Sequence, residues 1–326
     1  MLFSTGIGID LGTSTVLVYV TGKGIILREP SCVAVEKGSG RLVAVGEKAY
    51  QMVGRTPQGL TTVFPLEGGV ISDYVYTEKM LRYFVQKALG RRMVKPVAAV
   101  CTPCSITDVE KHAIVESMLK VGARSVHLIE EPVAAAMGAG IDISKPSGCM
   151  VVDIGGGTTD IAVISLGGVV RSASIKAAGN NFDADIIRMV KHKAGLLIGK
   201  RTAEMIKIQI GQADREEQPS SMEVKGRHMV SGLPMKTDVT GDDVCQAVSG
   251  TVGRIAEAVR EVLEKTPPEL ASDITEHGIV MTGGGSLFRG LDRVIGEEVG
   301  IPCFVADDPT SCVAIGTGKY IEQLSR

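Results

Sequence analysis

Met150-Val151-Val152-Asp153-Ile154-Gly155-Gly156-Gly157-Thr158-Thr159-Asp160-Ile161-Ala162-Val163-Ile164 reads as an apolar strand, a tight glycine turn with two hydroxyls, and a second apolar strand. The Val and Ile content and the alternation argue for strands. Three glycines let backbone amides approach an anion with no Cβ atoms in the way. Thr158 and Thr159 add hydroxyl donors. Asp153 closes the first strand and would repel a bare phosphate, so it belongs beside a cation. A plain β-hairpin with a Gly-rich turn would carry the same pattern, and this stretch alone leaves both readings standing.

A second copy shifts the balance. Gly6-Ile7-Gly8-Ile9-Asp10-Leu11-Gly12-Thr13-Ser14-Thr15-Val16-Leu17-Val18-Tyr19-Val20 repeats the order: apolar strand, Asp, Gly, hydroxyl-rich turn, apolar strand. Two related hairpins, one in each half of the chain, predict two similar domains that face each other across a nucleotide. A period this long is not that of a solenoid, whose units are much shorter.

Size and composition agree. At 326 residues the chain suits two domains of ordinary size. Apolar residues make up 44% and charged residues 22%, as in a globular protein. A net charge of -2, no dense Lys/Arg block and 4% aromatics give no footprint for nucleic acid. Seven cysteines, an odd number, read as reduced thiols. Cys101-Thr102-Pro103-Cys104 has redox spacing, but it also closes an apolar strand and precedes a helix capped by Ser105 or Thr107, which is the preferred reading. Zinc would need two more grouped ligands, and the five His residues are scattered. Neither a secretory signal nor a membrane-length apolar run is visible.

Along the chain, strands are expected at 24–27, 32–35, 41–45, 97–100, 126–129, 169–175 and 304–306, and a hairpin over 222–239. Helices are expected at 46–53, 76–89, 108–121, 183–192, 202–210 and 242–265, and from 308 onward. Pro65–Asp73 is rich in breakers, and 213–221 reads as a mobile loop. Pro132 suits the first turn of a helix preceded by Glu130 and Glu131, whose Ala and Gly residues permit close helix packing. That helix is an ordinary start with favourable acids, or a hinge carrying a carboxylate that polarises a water. Glu204 and Lys207, one turn apart, form a solvated ion pair or grip a ribose and an adenine edge. Gly283-Gly284-Gly285 lets a flat ring or a phosphate lie against the backbone, with Ser286 capping the next helix. Arg91-Arg92-Met93-Val94-Lys95 is an exposed loop or a membrane-touching one. No Walker motif is present: 195–200 has the wrong spacing, and no Ser or Thr directly follows Lys200.

Ile9-Asp10-Leu11-Gly12-Thr13, Glu131-Pro132, Asp153-Ile154-Gly155-Gly156-Gly157-Thr158-Thr159 and Thr282-Gly283-Gly284-Gly285 occur in the order of the actin/Hsp70/sugar-kinase superfamily. Arg28-Glu29-Pro30-Ser31, Gly54-Arg55-Thr56-Pro57, Gly69-Val70-Ile71-Ser72-Asp73, Thr266-Pro267-Pro268-Glu269-Leu270-Ala271 and Val313-Ala314-Ile315-Gly316-Thr317-Gly318 narrow it: the chain resembles MreB-type bacterial actins, including their Mbl relatives. The resemblance spans essentially the whole chain. It implies an α/β actin-like ATPase fold: two duplicated, ribonuclease-H-like domains, each with an inserted subdomain, and a nucleotide in the cleft. The implied parts are 1–31, 76–142 and 310–326 (IA), 32–75 (IB), 143–182 and 250–309 (IIA), and 183–249 (IIB).

The same resemblance implies ATP and Mg²⁺ as cofactors, homopolymeric filaments on the inner face of the cytoplasmic membrane, and partnership with the cell-wall elongation machinery. It places Gly12, Thr13, Ser14, Thr15 and Val16 at the β-phosphate, and Gly155, Gly156, Gly157, Thr158 and Thr159 on the γ-phosphate side. Asp10 and Asp153 act on Mg²⁺ through its waters, Glu131 orients the attacking water, and Thr158 helps place it. Glu204 and Lys207 meet ribose and adenine, with Gly284, Gly285, Ser286 and Leu287 beneath the base. Many relatives carry Glu where Asp160 stands, and some have an amphipathic helix before the first strand. Here only Met1–Thr5 precedes Gly6, so lipid contact would fall to Leu2, Phe3, Met93 and Val94. A kinase of the superfamily would need a further catalytic Asp at an acceptor pocket. A chaperone would need a substrate-binding domain after the last helix.

Overall fold

A computed structural model describes residues 6–90, 95–215 and 220–324. The expectations at Leu2, Phe3, Met93 and Val94, and part of the 213–221 loop, lie outside the described residues.

The first half runs β1 (Gly6–Leu11), β2 (Thr15–Val20), β3 (Gly24–Pro30), β4 (Val33–Glu36), β5 (Leu42–Val45), α1 (Glu47–Tyr50), β6 (Leu60–Val63), β7 (Leu66–Glu67), β8 (Val70–Ile71), α2 (Tyr74–Leu89), β9 (Val97–Thr102), α3 (Asp108–Val121), β10 (Ser125–Glu130) and α4 (Glu131–Gly138). The second runs β11 (Cys149–Ile154), β12 (Thr159–Ser165), β13 (Gly168–Ile175), α5 (Gly179–Ala194), β14 (Leu196–Leu197), α6 (Lys200–Ile210), β15 (Ser221–His228), β16 (Pro234–Thr240), α7 (Gly241–Glu264), α8 (Pro268–His277), β17 (Ile279–Thr282), a 3-10 turn (Gly284–Leu287), α9 (Leu291–Val299), β18 (Cys303–Val305) and α10 (Cys312–Leu324).

Among the described residues, two five-stranded sheets have the orders β10-β9-β1-β2-β3 and β13-β12-β11-β17-β18. Each is an antiparallel meander of three strands with two parallel strands added beside the first. The two glycine hairpins therefore occupy equivalent places in two like-wound sheets. Their strands are buried on both faces, which explains the near-continuous Val and Ile runs. Smaller sheets, β5-β4-β6 and β14-β15-β16, extend from the two halves.

Local chemistry sets most helix ends. Thr107 and Glu110 form a reciprocal capping box at α3, and Asp73 caps α2. On α7 the expected stripe of Val244, Val248, Val252, Ile255, Val259 and Val262 is wholly buried. Several expectations change. α1 spans four residues and gives way to turns. A strand, β6, lies before the 65–73 stretch, which itself holds the small β7–β8 pair. α5 starts at Gly179, because the Asn181 side chain turns back to accept the Ala178 N–H. Pro268 opens a helix as well as ending one. Ser286 caps no helix: its hydroxyl donates to the Gly283 carbonyl, and α9 starts at Leu291.

Each half has its own large apolar core. A third cluster joins them: Cys101, Ile129 and Ala134–Ala136 from one half pack with Val151, Ala162 and Ile164 from the other. Here the small residues of α4 meet those of α10. A Cβ on Gly138 would overlap the Cys312 carbonyl, and one on Gly316 would overlap the Ala134 carbonyl.

Candidate functional site

The two hairpin turns open into one cavity of about 520 Å³ between the sheets. They touch across it. Ser14 Oγ donates to Asn180 Oδ1 at 3.4 Å across it, while within the first half the Gly69 N–H donates to Thr13 Oγ1 at 2.9 Å. A Cβ on Gly157 would stand 2.5 Å from Thr13 Oγ1, and one on Gly156 would overlap the Ser14 hydroxyl. Glycine is thus required here by the approach of the opposite turn. The first amides of α5, at Gly179 and Asn180, donate to the Gly155 and Gly156 carbonyls at 3.1 and 2.8 Å. They splint the second turn against the helix.

Carboxylates gather at the base. Asp10 and Asp153 end their strands, and Glu131 begins α4; all three line the cavity. Burial pushes Asp10 up to about 6, offset in part by the Cys101 thiol and Arg28. Asp153 is pushed up to about 7 by burial, against the Thr282 hydroxyl that donates to it at 2.7 Å, and further by the charges of Asp10 and Asp160. Glu131 stands well above the usual carboxylate range, through burial and then the charges of Asp160, Asp153 and Asp10. Asp160 pairs across the ladder with Asp153 and accepts the Cys104 N–H at 3.1 Å. Two buried acids, both pushed up by burial and one further by the other's charge, are a donor set short of positive charge. Asp10 and Asp153 therefore fit Mg²⁺, a hard cation commonly held by one or two carboxylates and its own waters. Among the described residues, no group of three or more His, Cys, Asp or Glu could cage an ion directly.

Farther out, Glu204 and Lys207 both line the cavity, but not as a mutual solvated pair. Lys207 meets Asp183 at 2.9 Å and donates to the Gly179 carbonyl at 3.2 Å. Glu204 accepts from the Tyr50 hydroxyl. Gly284, Gly285 and Leu287 line the opposite wall. Of the expected site residues, Gly12, Thr13, Ser14, Thr15, Gly155, Gly156, Gly157 and Thr158 also line the cavity. Val16 and Thr159 are buried in their strands, Thr159 donating to the Ala177 carbonyl, and Ser286 is tucked under its own turn; none of these three lines the cavity.

The structure adds lining residues that the sequence reading missed. Phe182 and Phe288 stack with centroids 4.7 Å apart. Ile208 follows Glu204 by one helical turn, and Phe288 follows Leu287, so both were within reach of the spacing argument. Arg28 stood in the sequence only as part of Arg28-Glu29-Pro30-Ser31, with no sign of a place at the site. It crosses from β3 to donate to Thr310 and Ser311 at 2.8 and 2.6 Å. The Cys101 and Cys104 thiols are both pushed up by burial, which disfavours the reactive thiolate and leaves the pair structural.

Two like-wound sheets with paired glycine turns facing one cavity define an actin-like fold of the bacterial actin class. Comparison with known proteins narrows that class. The family model described as MreB/Mbl protein matches residues 4–326, and the chain belongs to that family. It is 49% identical to the cell shape-determining protein Mbl of Bacillus subtilis (strain 168), over 100% of this chain and 98% of that protein. It is 48% identical to the cell shape-determining protein MreB of Escherichia coli (strain K12), over 99% and 95%. Among solved structures, MreB5 of Spiroplasma citri bound to ADP is similar at 37% identity and a TM-score of 0.95, over 99% of this chain and 97% of that one. The same protein bound to AMPPNP gives 37% and 0.93, over 98% and 97%. A MamK double helical filament, at 24% identity and a TM-score of 0.83 over 98% of each chain, shares the fold.

Proposed function

We propose that this chain binds ATP with Mg²⁺ in the cavity, hydrolyses it slowly, and polymerises into membrane-associated filaments that organise cell-wall synthesis and maintain rod shape. The observation that carries the reading is the meeting of two glycine turns over a carboxylate cluster. The cell-shape role of the relatives and the nucleotides bound to MreB5 of Spiroplasma citri support it.

In this reading Thr13, Ser14, Thr15 and the turn amides from Gly12 to Val16 hold the β-phosphate. The Gly155–Thr159 turn holds the γ-phosphate. Asp10 and Asp153 hold Mg²⁺ through its waters, and when bound the ion supplies charge that neutralises the phosphates. Glu131 orients the water that attacks the γ-phosphorus as the bond to the β-phosphate oxygen breaks, with Thr158 beside it. Catalysis is then mostly positioning and charge neutralisation. Glu204 and Lys207 face the ribose and adenine, and Gly284, Gly285 and Leu287 support the base. The inserted parts at 32–75 and 183–249 form the upper walls of the cleft. A filament needs a heterologous contact that does not close on itself.

Sedimentation with Mg²⁺-ATP, Mg²⁺-ADP and no nucleotide, with and without anionic liposomes, tests the proposal. Pelleting that requires ATP and rises with liposomes is expected. Nucleotide binding without pelleting in any condition would instead favour a kinase or a chaperone-like ATPase.

A further inference from the structure

A set of contacts joins the two halves beside Glu204, a residue of the cavity wall, and has no role in the chemistry above. Tyr50 ends α1 in the first half, and its hydroxyl donates to Glu204 Oε2 on α6 in the second. The guanidinium of Arg201 lies 5.5 Å from the centre of the Tyr50 ring, and its Nη1 donates to the Gln51 carbonyl at 3.2 Å. Lys200 Nζ lies 5.2 Å from the centre of the Phe64 ring, and Phe64 meets Tyr50 edge to face at 6.5 Å. One stretch of α6 thus grips the opposite wall through Lys200 and Arg201. One and two turns on, the same helix presents Glu204 and then Lys207 to the cavity.

We propose that Tyr50 is a positioning residue for the nucleotide. It fixes the Glu204 carboxylate in place, and together with Arg201 and Gln51 it forms a strap between the halves that must open before nucleotide leaves. The inference rests on the nucleotide reading of the cavity. Its chemistry follows from the bond itself. The phenol occupies Oε2, while Oε1 accepts no hydrogen bond among the described residues and is free for a sugar hydroxyl. Burial and the Glu204 and Asp183 charges push the Tyr50 hydroxyl well up, so it remains a donor. A phenol held by a cation over its ring and by an edge-on neighbour has little freedom, so the carboxylate it holds is pre-oriented.

The test is release of radiolabelled AMPPNP, with Mg²⁺, chased by unlabelled nucleotide at protein concentrations below assembly. Tyr50→Phe is expected to speed release about tenfold, the scale of one hydrogen bond to a charged group. Arg201→Gln is expected to speed it severalfold by a different loss and serves should Tyr50→Phe fold poorly. In the Glu204→Gln background, Tyr50→Phe should add less than it does alone, since both act through one bond. A merely structural Tyr50 would not give that non-additivity with an unchanged melting temperature of the nucleotide-free protein. Release from Tyr50→Phe and Arg201→Gln at the wild-type rate, or fully additive effects, overturns the strap. Failure of the wild-type protein to retain AMPPNP at all overturns the nucleotide reading, and the strap's function with it.

Discussion

Glu131 begins a helix at the cavity base, where burial and then three other carboxylates hold it well above its ordinary pKa. If it orients the attacking water, Glu131→Gln should slow phosphate release by about 10²-fold or more while leaving ATP binding intact. Equal loss of binding and turnover would refute the assignment. Asp153 offers a pH test in protein freed of nucleotide and metal by EDTA. Burial raises its pKa from an ordinary 3.8 to about 7 in the fold. Between those values the native state binds more protons than the unfolded chain, so this group's contribution to stability falls as pH rises. Asn cannot titrate and can still accept from Thr282. Asp153→Asn should therefore gain stability relative to wild type as pH rises through that window, by at most about 4 kcal/mol. A difference in melting temperature that stays flat with pH would contradict it. Asp10, Asp153 and the glycine turns were legible in the sequence because their geometry is local to one hairpin. Arg28, Phe182 and Tyr50 were not: the first two reach the cavity, and Tyr50 reaches Glu204, only through tertiary packing of distant segments.

At the scale of elements, alternation and helical spacing located most strands and helices, since one face of each is buried. The misses have physical causes. β6 is short and half-buried, with two threonines and no clean alternation. The start of α5 depends on an Asn side chain turning back, and α8 begins on a proline that also reads as a terminator. The small residues at 132–140 and 312–318 were readable as close-packing faces, and the structure shows that they meet each other. Gly316→Ala is expected to cost about 3 kcal/mol, because the added methyl meets a backbone carbonyl that cannot turn aside. Urea unfolding would check this; a change below about 0.5 kcal/mol would mean that the helices separate freely.

For the whole molecule, the duplicated sheets explain why two similar sequence hairpins converge on one cavity: equivalent strands present equivalent turns. The sequence alone predicted that convergence, but not which wall residues tie the halves together. Nucleotide, bound between halves that share one apolar cluster, should stabilise the protein as a unit. Removing Mg²⁺-ATP from a hundredfold excess over Kd should cost about 2.7 kcal/mol and lower Tm by about 5 °C. A scanning calorimetry trace that does not shift would argue against a ligand spanning both halves.

The crossing of α4 and α10 lies just behind the cavity, since Glu131 and Val313 at their first turns both line it. Backbone touches backbone there, with no side chain to deform. For any rotation of one sheet against the other, this crossing is a fulcrum and the inserted sheets are the long arms. The site proposed for phosphate lies on the short arm. In such a rotation, a shift too small to disturb the packing near the fulcrum would be geared up into a larger displacement of the outer rims.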